Sequence, residues 1–239
     1  MKTVFYDLKR VKIYLILFSL LSFIMISFFW NRDTSNYNIG VFSYYFFGMN
    51  YLGMLYIISR LYIDDFQTGA IKNLYVSSGS IGKILIRRIC SSMAIGLVFF
   101  LLSQVNVIIS YTKLGSVFEL YKFFKLSVNM MFIYLFVAIL IASYVGLIAY
   151  VISNCQRAYL VAILPPSLLH YFLPFILFLT QSSMDNYWRK MLEYLPNGLI
   201  IQWANMWNIT LVQFIALIIW VIIFVILTIL ITSHKELSN

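Results

Sequence analysis

Six apolar stretches divide this 239-residue chain, at about Ile13–Trp30, Phe42–Ile63, Ile89–Tyr111, Leu126–Ile152, Ala158–Thr180 and Ile209–Thr232, and Arg60 is the one charge inside them. At 1.5 Å per helical residue each can cross a hydrocarbon layer of about 30 Å. A backbone in lipid must satisfy its own polar groups, so such stretches fold as helices. Charged residues make up 10% of the chain and hydrophobic ones 62%, far from the roughly 25% charge of soluble domains. The expected fold is all-α: a polytopic membrane protein with six transmembrane helices in one domain, 1–239. No linker or internal repeat divides it.

The first stretch follows Lys9, Arg10 and Lys12 in the manner of a signal peptide, but Asn31-Arg32-Asp33 offers no small-residue cleavage site, so a retained helix is expected. Ahead of it Met1, Val4, Phe5, Leu8 and Val11 share one helical face opposite Lys2, Lys9 and Arg10, which reads as an interfacial helix over 1–12. An even number of spans puts both termini on one side. Lys2, Lys9, Arg10, Lys12, Arg60, Lys72, Lys83, Arg87, Arg88, Arg157 and Lys235 lie on that side, 11 of the 17 basic residues, against Arg32, Lys113, Lys122, Lys125, Arg189 and Lys190. The positive-inside rule then makes both termini cytoplasmic, in the plasma membrane. The net charge of +9 is read as topology and anionic headgroups, with membrane lipid and not nucleic acid as the partner. Cys90 and Cys155 sit beside basic residues near the cytosolic ends and are expected to be reduced. The 181–208 segment carries Trp188, Tyr194, Trp203 and Trp207 and is expected outside, as short re-entrant or surface helices.

Catalytic chemistry finds little support. Gly79-Ser80-Ile81-Gly82-Lys83 has two residues between its glycines where a phosphate loop needs four, and Ile84 stands in place of the magnesium-binding hydroxyl. Ser77-Ser78-Gly79-Ser80 lies in a turn without a histidine base nearby. No catalytic residue, metal site or bound cofactor is assigned. Asn208-Ile209-Thr210 matches a glycosylation sequon but abuts the sixth span and reads as a chance match. His170 is either a relay or substrate contact, since ionisable groups at membrane depth are costly, or a neutral imidazole bonded to a neighbouring helix. Pro165, Pro166 and Pro174 leave carbonyls without their helical donors and kink the fifth span. His170, Pro166 and Pro174 are therefore candidate pathway residues.

The segment from Arg60 to Arg88 is the most informative. Phe66, Ala70, Ile71 and Leu74 form an apolar arc, Thr68 and Lys72 lie opposite, and Asp64 and Asp65 stand at the amino end, where the helix dipole favours acids. A cytosolic helix and turn over 64–78 can be a handle for a partner or a plain connector; the pattern alone allows both.

Asp65, Gly69-Ala70-Ile71-Lys72, Leu74, Ser77, Ser80, Ile84-Leu85-Ile86 and Arg88 resemble, in order, the element between the second and third spans of ATP-binding-cassette (ABC) type-2 export permeases. Ser78, Ile81 and Arg87 replace that pattern's proline, arginine and glycine, and Tyr194-Leu195-Pro196 is similar to its external Leu-Pro element. The resemblance implies that the helix bearing Asp64, Asp65, Phe66, Gly69, Ile71, Lys72 and Leu74 couples to a separate ATPase subunit that holds ATP and magnesium. It also implies a second permease subunit, as a homo- or heterodimer. Small Gram-positive permeases of this kind export peptides, bacteriocins or phenol-soluble modulins, so an amphipathic or hydrophobic cargo, a peptide first, is expected. The alternatives are an ion-coupled secondary transporter and a membrane-embedded immunity protein or enzyme; either should place acids or histidines deep in the bilayer.

Overall fold

A computed structural model describes residues 2–30, 39–67, 81–114, 120–152, 154–179, 191–206 and 208–237. Six long helices and one short one dominate: α1 (Lys2–Trp30), α2 (Ile39–Gln67), α3 (Ile81–Leu114), α4 (Leu120–Val151), α5 (Cys155–Leu179), α6 (Pro196–Met206) and α7 (Leu211–Leu237). Four of them contain segments long and apolar enough to cross a membrane: Val4–Ser27, Gly82–Ile109, Phe123–Val151 and Leu211–Ile231. Among the described residues the protein is thus all-helical, and its apolar spans make it a membrane protein.

The sequence explains which helices are central. On α2, Phe46, Phe47, Tyr51, Met54, Leu55, Ile57, Ile58, Leu61 and Ile63 are all buried, and on α4 so are Met130, Ile133, Tyr134, Val137, Ala138, Ile141 and Val145. A helix apolar on every side belongs inside. α2 is surrounded by α1, α3, α4, α5 and α6, and α7 lies along α4. Within a bilayer such burial gains little from expelling water, so close packing must hold the helices. Small residues permit it: a Cβ on Gly96 of α3 would stand 2.8 Å from the Tyr134 carbonyl of α4. α7 leaves Val212, Ile215, Ile219, Ile222, Ile226 and Leu230 exposed, the pattern of a helix bathed in lipid.

Cross-helix bonds fix direction. Arg10 meets Asp65 while Ser22 meets Asn50, so α1 and α2 are antiparallel. Gln104 meets Ser127 and Ser103 meets Tyr134, so α3 and α4 are too. Phe136–Phe214 and Tyr144–Phe224 contacts set α7 parallel to α4. The beginnings of α1, α3 and α5 and the ends of α2, α4 and α7 therefore gather at one end of the bundle.

Two expectations are corrected. α1 runs unbroken from Lys2 to Trp30, so residues 2–12 are not a separate interfacial helix. Its inward stripe is Asp7, Val11, Ser22 and Ile26, with Phe5 exposed, because Asp7 is held by partners on α3. Trp203 is fully buried rather than part of an interfacial belt, and its indole donates to Gln213 at 3.2 Å. That glutamine and Thr210 form a reciprocal cap for α7: Thr210 N–H donates to the Gln213 side chain at 3.0 Å and Gln213 N–H to the Thr210 hydroxyl at 3.3 Å.

Candidate functional site

At the end where α1 starts, three acids and three arginines form one network. Arg88 of α3 pairs with Asp7 of α1 at 2.8 Å and with Asp65 of α2. Arg10 pairs with Asp65 and lies 3.9 Å from Asp64. Arg60 reaches Asp64, one turn on, at 3.3 Å. Hydroxyls add three bonds to it: Ser91 donates to Asp7 at 2.6 Å, Tyr159 of α5 donates to Asp64, and Arg60 donates to the Tyr14 hydroxyl at 2.9 Å. The Arg60 guanidinium also lies over the Tyr14 and Tyr159 rings, at 5.3 and 5.7 Å.

Asp7, Asp65 and Arg88 are 1%, 3% and 4% exposed, so each charge depends on its partners. An isolated buried ion costs several kcal/mol, and mutual pairing with further hydrogen bonds offsets that cost. The three negative charges are matched one for one. The network ties α1, α2, α3 and α5 near the end of α2 and the start of α3.

Halfway along the bundle a second polar chain crosses four helices. Ser22 of α1 donates to the Asn50 side-chain oxygen at 3.1 Å, Asn50 of α2 donates to the Tyr134 hydroxyl at 2.9 Å, and Tyr134 of α4 donates to Ser103 of α3 at 3.1 Å. All four residues are buried, so the chain satisfies groups that lipid could not.

On the other flank, at similar depth, lies a cavity of about 280 Å³ between α2, α4, α5, α7 and the 192–200 segment. Its wall includes Tyr51, Ile141, Tyr144, Pro165, Pro166, Leu169 and Phe224. Pro165 has no N–H for the Val161 carbonyl one turn back. The Tyr144 hydroxyl of α4 supplies the missing proton at 2.8 Å, so the kinked helix is sewn to its neighbour.

Of the residues singled out from sequence, Asp64 and Asp65 lie within α2, on the helix that continues the second hydrophobic stretch rather than at the start of a new one. Arginines from α1, α2 and α3, not a helix amino terminus, compensate them. Phe66 is on α2; Gly69, Ile71, Lys72 and Leu74 lie outside the described residues. His170 is 1% exposed and packs on Tyr51 and Phe47, ring centroids 4.7 and 6.2 Å away. Gly48 makes room for it, since a Cβ there would be 3.3 Å from Nε2. Pro166 borders the cavity; neither His170 nor Pro174 is among its lining residues. Neither cysteine is in a disulfide.

Sequence reasoning missed Asp7, Arg10, Arg88 and Tyr159 as members of one site. Asp7 lies inside the candidate span Val4–Ser27, ahead of the apolar stretch expected to begin at Ile13. Arg10, Arg60 and Arg88 each pair with an acid. One signal was present: a lone aspartate in an otherwise basic segment, Lys2 to Lys12, demands a cationic partner. No family model and no curated protein matches the chain.

Proposed function

We propose that this chain is the transmembrane permease subunit of an ABC exporter, working with a separate ATPase that binds ATP and magnesium and with a second permease subunit. α2 and α5 complete six spans, the segment around α6 lies outside as a re-entrant element, and both termini are cytoplasmic in the plasma membrane. The observation that carries the reading is the Asp65–Arg88–Asp7 network. It joins the helix entering the 68–80 connector to the helix leaving it, and both to α1. A connector anchored in this way can pass a push from a docked partner into three spans at once, which a loose loop cannot do. The cavity beside Pro166 offers an apolar station at mid-depth and supports an amphipathic or hydrophobic cargo; the resemblance adds peptides as the first class to try.

The test is copurification of an ATP-hydrolysing subunit with the tagged permease from its native membrane, comparing wild type with Phe66→Ala/Leu74→Ala. A hot-spot pair should cost about 2 kcal/mol or more of docking energy per anchor. Loss of the ATPase and of export at unchanged membrane abundance is expected. Wild-type protein that brings down no ATPase, or a double variant that exports normally, refutes the coupling role.

A further inference from the structure

The cavity's wall specifies what can enter it. Its two tyrosine hydroxyls are already committed, Tyr51 to the Asn197 side-chain oxygen at 3.3 Å and Tyr144 to the Val161 carbonyl at 2.8 Å. The rest of the wall is mostly leucine, isoleucine, proline and phenylalanine. Peptide backbone entering here would bring an N–H and a C=O per residue, each costing several kcal/mol unless paired. A methylene chain brings none, and apolar cavities that stay dry in water accept hydrocarbon readily. The volume of about 280 Å³ sits at the lower edge of small-ligand sites, about 300–1,000 Å³, which suits one slender chain better than a bulky ring system.

The cavity also borders the exposed apolar surface of the bundle. α5 and α7 each pack on α4, and α5 and α7 have little contact with one another. Pro165 and Leu169 on α5 are exposed, and so are their neighbours Leu164 and Leu168. On α7, partly exposed Phe224 stands between exposed Ile222 and Ile226. The apolar surface of both helices thus continues from the outside of the bundle into the cavity.

We propose that the cleft between α5 and α7 is a lipid site, lodging one acyl chain of a membrane phospholipid with its methylenes against Ile141, Leu169 and Phe224. Occupancy requires neither ATP nor a partner subunit. Only the use of this site as a station for cargo rests on the exporter reading, and the assay below contains no ATPase, so the two stand or fall separately.

The test uses the full-length chain in nanodiscs containing a phosphatidylglycerol with a diazirine at the end of one acyl chain, followed by photolysis and peptide mass spectrometry. Labelling at Ile141 and Leu173, which face the cavity, should be at least threefold above that at Ile226 on the outer face of α7. Leu169→Trp, which narrows the mouth from an exposed position, should cut the inner labels at least threefold and leave the Ile226 label unchanged; Leu169→Phe serves if the tryptophan variant does not accumulate. Equal labelling inside and outside, or inner labelling that survives the substitution, overturns the proposal. So does inner labelling by a diazirine-bearing amphipathic peptide at sites the lipid probe fails to reach.

Discussion

Replacing Arg88 by methionine should be among the most destabilising single changes in the bundle, and the geometry says why. Asp65 would still have Arg10, but Asp7, 1% exposed, would keep only the Ser91 hydroxyl among the described residues. Breaking a buried pair by removing one partner costs about 3–5 kcal/mol, most of it the stranded charge. Asp7→Asn should cost less, about 1.5–3 kcal/mol, the worth of a hydrogen bond to a charged group, because Arg88 retains Asp65. The double variant Asp7→Asn/Arg88→Met removes the stranded charge along with its partner, so its cost should fall short of the sum of the singles by about 1–3 kcal/mol. Exposed Arg157→Met is the control and should lie within about 0.5 kcal/mol of wild type. Unfolding midpoints from tryptophan fluorescence in mixed micelles titrated with sodium dodecyl sulfate provide the four values. An Arg88→Met cost no larger than the Arg157→Met cost, or strictly additive singles, would refute the idea that these charges act as one buried unit.

Gly198→Ala should cost more than about 1 kcal/mol in the same titration, since its Cβ would meet the Leu192 carbonyl at 2.2 Å, whereas Gly82→Ala, with nothing within 4 Å, should be neutral or stabilising by up to about 1 kcal/mol. Tyr144→Phe should cost about 1 kcal/mol by leaving the Val161 carbonyl without its donor, and infrared spectra of carbonyl-labelled Val161 should show the loss of a hydrogen bond. Asn50→Leu, which takes away one acceptor from Ser22 and the donor to the Tyr134 hydroxyl, should cost about 0.6–1.7 kcal/mol, and combining it with Tyr134→Phe should add less than the Tyr134→Phe value alone. For orientation, a membrane-impermeant thiol reagent on intact cells should leave Cys90 and Cys155 unlabelled and modify a Ser183→Cys variant lacking both; the reverse pattern would invert the proposed topology.

By itself the sequence determined the solvent and the class of fold. Long uncharged stretches leave the backbone no choice but helix in a bilayer, and spacing alone shows this because the constraint is local: each stretch satisfies its own hydrogen bonds. The pairing of Arg60 with Asp64 was equally legible, since residues four apart on a helix must be neighbours. What spacing could not show was the company kept across helices. Asp7 and Arg88 are 81 positions apart, and nothing in either neighbourhood names the other; only the parallel packing of α1 and α3 brings them to 2.8 Å. The same holds for Tyr144 and Val161, where a proline advertised a missing donor but the replacement came from another helix. Burial of Trp203 against Phe136 and Gln213, the joining of residues 2–12 to the first span, and the cleft between α5 and α7 were likewise decided by tertiary structure. In lipid, helices are chosen by composition, but their neighbours are chosen by close packing and by which buried polar groups can find one another.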